Sequence, residues 1–319
     1  MKAVILEGDA VNPGDISWEP VTEICSTTVF RNTTEVEKWE RLTGADAVFV
    51  NKVKIDEEVF EKFPQVKYVG VCATGYNVID LEAAKRHGVT VTYVPAYSTP
   101  AVVQHTWGLI LELACKIKEH DDSVKRGDWI KSDTFTYWLS PIIELENKTI
   151  GIYGYGNIGR RVAEIALSFG MKVLVCTKHP EKYKDSVPSI EFVSSEDLFK
   201  KSDIISLHAP LTTETEGIIN EDTLQLCKDG VLIINVARGG LVNEEALYDA
   251  LNNGKVGGAA VDVISEEPMR EGNPLLKASN IIITPHIAWA SKEARERLVA
   301  QVAENFKCFI EGSPINIAE

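Results

Sequence analysis

Thr149 to Tyr153 is a short apolar run of β-branched and aromatic residues, the composition of a buried strand. It leads without a spacer into Gly154-Tyr155-Gly156-Asn157-Ile158-Gly159. Beyond the glycines, Ile158, Val162, Ile165, Ala166 and Phe169 recur at helical spacing, Gly170 supplies a stop, and Lys172 to Cys176 reads as a second strand. Strand, glycine turn, helix and strand within about thirty residues restrict this part of the chain to a βαβ unit of the kind that holds a dinucleotide. Each glycine has its own duty there. Gly154 permits the tight turn, Gly156 lets a pyrophosphate approach the backbone, and Gly159 lets the helix pack close to the strand. The pyrophosphate then rests on the helix N-terminus at Asn157 and Ile158, where free N–H groups and the helix dipole favour an anion.

In such units an acidic residue about twenty positions further on holds the ribose hydroxyls. Thr177 stands in its place, followed by Lys178 and His179. With no carboxylate to repel a 2′-phosphate and a cation adjacent, the reading admits NADP or NAD and favours NADP.

The same alternation runs through the rest of the chain. Before the glycine turn, strands are expected at Lys2 to Leu6, Ala47 to Val50, Tyr68 to Val71 and Thr90 to Val94. Between them, Thr34 is expected to cap a helix ending near Leu42, Asp56 one over Glu57 to Phe63, and Asp80 one over Leu81 to His87 closed by Gly88. After it, strands are expected at Glu191 to Val193, Ile204 to Leu207, Val231 to Asn235, Gly257 to Val261 and Ile281 to Thr284. Strands alternating with helices imply parallel sheets covered on both faces. Ser98-Thr99-Pro100 marks a boundary, with a long apolar helix from Pro100 toward Lys118 expected to lie buried between two lobes. On that helix His105 reads as a hydrogen-bonded interior histidine, while Val103 or Thr106 is placed to meet a nicotinamide. The last helix, Ser291 to Ile310, carries Leu298, Val302, Phe306 and Phe309 on one side and is expected to cross back to the first domain.

Bulk properties exclude several classes. A formal net charge of −14 argues against a nucleic-acid backbone or an anionic membrane surface as partner. No apolar run approaches the length of a membrane span, and Met1 to Leu6 reads as a first strand and not as a signal peptide. The six cysteines stand singly without a C-x-x-C pair, so a reducing, cytoplasmic setting is expected, and no metal-ligand spacing appears.

Polar groups gather in the loops that follow the strands, where open α/β sheets bind ligands. Ala73-Thr74-Gly75-Tyr76-Asn77 offers backbone amides for a substrate. His208-Ala209-Pro210 and Val236-Ala237 are expected against the cofactor, with Asp262 accepting from the nicotinamide carboxamide. Arg238 presents a fork of donors suited to a carboxylate, and His286 gives or takes a proton near neutral pH. Glu267 is suited to hold the other imidazole nitrogen and favour the protonated ring. A nicotinamide supplies hydride, so an anchor, a proton and an orienter are what the protein must add. Together they describe interconversion of a 2-oxo acid and a 2-hydroxy acid.

These motifs, in this order and spacing, resemble the D-isomer-specific 2-hydroxyacid dehydrogenase family over nearly the whole chain. The resemblance rests on Gly154 to Gly159, Asn235-Val236-Ala237-Arg238-Gly239-Gly240, Asp262 through Glu267-Pro268, and Pro285-His286-Ile287-Ala288-Trp289. It implies that Arg238 binds substrate, that Glu267 pairs with His286, that His286 is the acid/base, and that the protein is a homodimer. The implied architecture is α/β, with two Rossmann- or flavodoxin-like doubly wound parallel-sheet domains separated by a cleft. Residues 1–99 with 288–319 would form the substrate (catalytic) domain and residues 100–287 the dinucleotide-binding domain. Two stretches, Val11 to Trp18 and Ala73 to Asn77, are similar to those of glycerate dehydrogenases, also called hydroxypyruvate reductases. With the sequence ending soon after the crossing helix, the regulatory domain common in phosphoglycerate dehydrogenases is not expected. Phe135, Tyr137 and Trp138 fall in a loop-like stretch that reads as a lid, a subunit contact or core. The alternatives that stay open are another 2-oxo acid (glyoxylate, phosphohydroxypyruvate or a lactate-type acid) and a nicotinamide-sensing binding protein on the same fold.

Overall fold

Two parallel sheets organise the computed structural model, which describes residues 1–183 and 189–319. The chain divides into two compact units, Met1–Thr99 with Trp289–Glu319, and Pro100–Ala288.

The first unit carries β1 (Lys2–Ile5), β2 (Ser26–Val29), β3 (Ala47–Val50), β4 (Tyr68–Val71) and β5 (Thr90–Thr92) in the order β2-β1-β3-β4-β5, the flavodoxin-like arrangement. Its helices are α1 (Gly8–Val11), α2 (Glu19–Thr22), α3 (Glu35–Arg41), α4 (Glu57–Lys62) and α5 (Leu81–Arg86). Every residue of β3 and β4 is buried, as expected for strands covered on both faces. Local chemistry sets several helix starts. Thr34 and Glu37 form a reciprocal capping box on α3, and the Asp80 side chain accepts from the Ala83 N–H on α5. Asp56 sits at the N-cap of α4, but its side chain makes no capping hydrogen bond, contrary to expectation. β2 was not expected either. Its Ser-Thr-Thr-Val run lies on the sheet edge, largely exposed, and so lacks the apolar alternation that marks a strand.

The second unit opens with α6 (Thr99–Cys115) and α7 (Ile117–Lys125). The single helix expected to reach Lys118 is broken because Lys116 takes a left-handed φ of 54°. Then follow β6 (Thr149–Tyr153), α8 (Asn157–Ser168), β7 (Lys172–Cys176), β8 (Ile190–Phe192), α9 (Ser195–Lys201), β9 (Ile204–Leu207), α10 (Glu221–Leu226), β10 (Val231–Asn235), α11 (Glu244–Asn252), β11 (Val256–Val261) and β12 (Ile281–Ile283). All pairs are parallel, in the order β12-β11-β10-β9-β6-β7-β8. The direction of winding reverses between β6 and β9, and ligands bind at the carboxyl ends of strands at such a switch. α6 is buried along most of its length, and its Trp107 ring stacks on Phe169 at a centroid distance of 4.9 Å.

The last helix, α12 (Lys292–Ile310), starts at a Ser291 cap and belongs to the first unit. Its Leu298, Val299, Val302 and Phe306 pack with Ile5, Phe49 and Tyr68 in one core of that unit. Arg295 ties the same helix to the chain start through a two-pronged pair with Asp15, at 2.6 and 2.7 Å. Among the described residues, no helix is long and apolar enough to cross a membrane.

Candidate active site

The glycine turn between β6 and α8 has the geometry its sequence demands. Gly154 takes φ 99°, and a Cβ there would lie 2.6 Å from the His208 carbonyl carbon and the Ala209 nitrogen. A Cβ on Gly159 would meet the Gly154 carbonyl oxygen at 2.1 Å, whereas one on Gly156 would meet nothing within 4 Å. Gly156 is the N-cap of α8 and provides no side-chain cap, and Asn157 is exposed beside it. The helix thus presents backbone N–H groups under open space, the arrangement that receives a pyrophosphate. Next to the turn, His208 accepts from or donates to Ser206 Oγ through Nε2 at 2.8 Å, while its buried Nδ1 has no partner among the described residues. The residue is half-buried, but Nδ1 reaches no solvent, and burial pushes the imidazole down to about 3, so the ring is neutral. An uncapped helix end, a turn with no side chain over it and an orphaned imidazole nitrogen all fit a bound dinucleotide.

The flanking residues are fixed by local hydrogen bonds. The Pro210 carbonyl accepts from Thr215 Oγ1 at 2.7 Å, which shapes the turn after β9. Thr177 is half-buried just past β7, and Lys178 is exposed with Nζ 3.0 and 3.3 Å from the two carboxylate oxygens of Glu214. The lean to NADP rested on the absent carboxylate at Thr177 with Lys178 and His179 adjacent; Lys178 is paired with Glu214.

Arg238, Glu267 and His286 come from turns after β10, β11 and β12, adjacent strands in the sheet. Asn235, fully buried at the end of β10, shapes the first turn: its Nδ2 donates to the Arg238 carbonyl at 2.9 Å and its Oδ1 accepts from Ala237 N at 3.1 Å. Val236 is buried, and Arg238 is exposed with Nη1 donating to the Ala237 carbonyl at 2.7 Å. A Cβ on Gly239 would lie 1.8 Å from the Ile264 carbonyl oxygen, so this turn packs directly on the one that carries Glu267. Glu244 braces that second turn by accepting from Ser265 N at 2.7 Å and Asn273 Nδ2 at 2.8 Å. Glu267 precedes a cis proline, and its Oε2 lies 2.7 Å from His286 Nδ1. With Nδ1 held by a carboxylate, Nε2 is the nitrogen that can meet a substrate.

His286 adopts a left-handed φ of 55°, a conformation rare for any residue but glycine. Asp262 holds it there. The Asp262 carbonyl accepts from His286 N at 2.8 Å. Its carboxylate accepts from Thr284 Oγ1 at 2.5 Å, Ile287 N at 2.9 Å and Ala288 N at 2.8 Å. Asp262 is 2% exposed; Oδ1 accepts from Thr284 and Ile287 and Oδ2 from Ala288, so Oδ2 keeps capacity for one further donor. These bonds fix the loop that carries His286. His105 joins the same network as an interior histidine, Nε2 3.1 Å from Thr284 Oγ1. Thr106 and Val103 are buried, and the Thr106 hydroxyl donates to the Val102 carbonyl at 2.7 Å, so neither presents a polar group to a cofactor.

Thr74, Gly75 and Tyr76 lie after β4 in the first unit. The Thr74 hydroxyl donates to the Val94 carbonyl at 2.8 Å, and the Tyr76 ring packs edge-on against Tyr93. Phe135 and Trp138 are exposed and not core, while the Tyr137 hydroxyl is pinned to Ser123 Oγ at 2.9 Å. Sequence reasoning passed over Asn235, Glu244, Thr284 and Glu214. Each acts through a partner that only the fold brings near, although an Asn ending a strand before a turn was a usable signal for the first.

A doubly wound sheet with an open glycine turn and a carboxylate-oriented histidine three residues past its edge strand defines a nicotinamide-dependent oxidoreductase. Residues 107–288 match the family model for the D-isomer specific 2-hydroxyacid dehydrogenase, NAD binding domain. The chain is 43% identical over 325 residues to the hydroxypyruvate reductase of Blautia hydrogenotrophica, with 99% of each chain covered. It is 41% identical over 282 residues to the glycerate dehydrogenase of Methylorubrum extorquens, covering 88% of this chain and 87% of that one. Among solved structures it superposes on the D-lactate dehydrogenase of Aquifex aeolicus, complexed with NAD and lactic acid, at a TM-score of 0.83 and 32% identity, with 98% and 96% of the chains covered. The chain belongs to the D-isomer-specific 2-hydroxyacid dehydrogenase family.

Proposed function

We propose that this protein interconverts hydroxypyruvate and D-glycerate with NADH or NADPH, and that it does so as a cytoplasmic homodimer. The observation that carries the chemistry is the 2.7 Å contact between His286 Nδ1 and Glu267, on turns packed against the one that presents Arg238. The substrate assignment draws on the two relatives at 43% and 41% identity, named hydroxypyruvate reductase and glycerate dehydrogenase.

The dinucleotide is held by the amides of Gly154, Gly156, Asn157, Ile158 and Gly159, with Thr177 and Lys178 at its ribose end. His208, Pro210, Val236 and Ala237 line the side nearer the chemistry. When bound, it supplies the hydride. Arg238 takes the substrate carboxylate with a pair of parallel donors and so fixes the 2-carbon. His286 Nε2 donates its proton to the 2-oxygen as that atom gains charge. Glu267 stabilises the imidazolium beforehand and keeps the ring oriented. In the reverse direction the neutral imidazole withdraws the hydroxyl proton.

The dimer rests on a second observation. Ile130 and Phe135 are each 90% exposed and Trp138 69%, and Ile117, Trp129, Leu139 and Ile142 are exposed as well. So many large apolar side chains exposed within residues 117–142 support an interaction surface there. The six free cysteines, with the Cys72 thiol pushed up to about 12 by burial, suit a reducing compartment.

The test is oxidation of NADH and of NADPH, followed by absorbance, with hydroxypyruvate, glyoxylate, pyruvate and phosphohydroxypyruvate. Fastest turnover with hydroxypyruvate is expected. Turnover only on a comparator would keep the mechanism and discard the substrate. Absence of turnover on every acid, with cofactor binding intact, would favour a sensing role. Light scattering should give twice the chain mass, and Trp138→Glu should shift it toward one chain.

A further inference from the structure

The turn after β9 carries a carboxylate that the proposed reaction does not use. Glu214 is exposed, as is its partner Lys178, so their ion pair contributes little to stability. Its backbone is nevertheless held in place. Thr215, the next residue, sends its hydroxyl to the Pro210 carbonyl at 2.7 Å and accepts from Thr212 N at 2.8 Å, while Glu216 N donates to the Thr212 carbonyl at 2.9 Å. This hydrogen-bonded turn sets Glu214 beside the carboxyl end of β7, where its oxygens grip Lys178 two residues past the strand.

That is the location at which a dinucleotide-binding sheet chooses between its two cofactors. The choice normally falls to a carboxylate ending the second strand, which accepts from the ribose hydroxyls and repels a 2′-phosphate. Here the position is Thr177, which carries no charge. We propose that Glu214 supplies the missing carboxylate from the opposite side of the crevice and makes the protein prefer NAD(H) to NADP(H). Lys178 is then its positioning partner and not a phosphate receptor. A 2′-phosphate approaching Lys178 would have to share that cation with a carboxylate about 3 Å away, like charge against like charge. His179, the neighbouring basic residue, is matched as well, with Nδ1 3.3 Å from Glu181. A ribose 2′-hydroxyl, by contrast, can donate to Glu214 without displacing anything.

This inference rests on the nucleotide-dependent reading above and deepens it by naming the cofactor. Its test needs no substrate. NADH and NADPH are titrated into the intact protein at low salt, with the fluorescence of the bound reduced nicotinamide as readout. The unaltered protein should bind NADH at least tenfold more tightly. Glu214→Gln should tighten NADPH by about tenfold, the scale of one charge contact near a surface, and change NADH by less than about threefold. Glu216→Gln, two residues along the same turn, removes an equal charge and should leave the ratio unmoved. A preference for NADPH in the unaltered protein, an unchanged ratio in Glu214→Gln, or an equal effect from Glu216→Gln would each overturn the assignment. Failure to turn over any 2-oxo acid would remove the proposed reaction and leave this comparison intact. Failure to bind either nucleotide would remove both.

Discussion

The two sheets are built alike and differ in what becomes of the backbone amides at their carboxyl ends. In the first unit, Glu7 follows β1 and folds its Oε2 over the loop after β3, accepting from Asn51, Lys52 and Val53 N–H at 2.9, 2.7 and 2.8 Å. The protein's own carboxylate fills that nest. In the second unit, the turn after β6 ends at Gly156, which adds no side chain to the N-terminus of α8. Doubly wound topology therefore creates an anion site at a strand end, and one side chain decides whether the protein or a ligand occupies it. The second unit also uses an internal carboxylate, Asp262, but applies it to the His286 loop and leaves the glycine turn open.

The largest effect should come from removing the proposed acid/base group. His286→Asn is expected to lower kcat by about two to four orders of magnitude while NADH still binds. Turnover near that of the unaltered protein would take the role from His286. Next, Gly156→Asp gives the second unit the carboxylate that the first already has. The added Cβ meets nothing within 4 Å and the residue is an N-cap, so the fold should hold or gain stability. Nucleotide affinity should fall about a hundredfold, because a carboxylate then faces the pyrophosphate. Unaltered NADH affinity in this variant would sink the comparison. The reciprocal change, Glu7→Gln, removes the charge that three amides share in the first unit. Urea unfolding should show a loss of about 1–3 kcal/mol, with cofactor affinity unchanged.

An effect of similar size, but confined to acid pH, concerns His208. Burial depresses its folded pKa from 6.5 to about 3, so the neutral ring is the folded form. Its contribution to stability is complete above pH 6.5 and is lost as pH falls toward 3, with a slope of up to about 1.4 kcal/mol per pH unit. The difference in unfolding free energy between the unaltered protein and His208→Gln should therefore narrow between pH 7 and pH 4.5. A difference that stays constant over that range would mean the ring is protonated without cost.

What could be read from the chain alone is what depends on near neighbours. β6, β7, β9 and β10 fall on the residues expected of them, because each is a continuous apolar run bounded by turn residues. Helices α3 and α5 start at Thr34 and Asp80, whose partners lie three residues away. The positions of Arg238, Glu267 and His286 were legible for the same reason: each stands just past a readable strand, and the fold sets Glu267 against His286. β2 was not legible, since an exposed edge strand has no apolar face to pattern, nor was the break at Lys116, whose left-handed turn no side chain announces. The clamps were beyond reach altogether. Glu7 meets Asn51 across 44 positions and Lys178 meets Glu214 across 36. Nothing near Glu7 in the chain separates it from a surface glutamate, and nothing near Lys178 shows that it is paired. The sequence determined where the nucleotide turn and the reacting side chains stand, because short-range sterics and intrinsic chemistry act there. Which amides are left open, which carboxylates are taken and which cation is neutralised were decided only by the tertiary structure, because those outcomes depend on charges and hydrogen-bond partners that folding brings together.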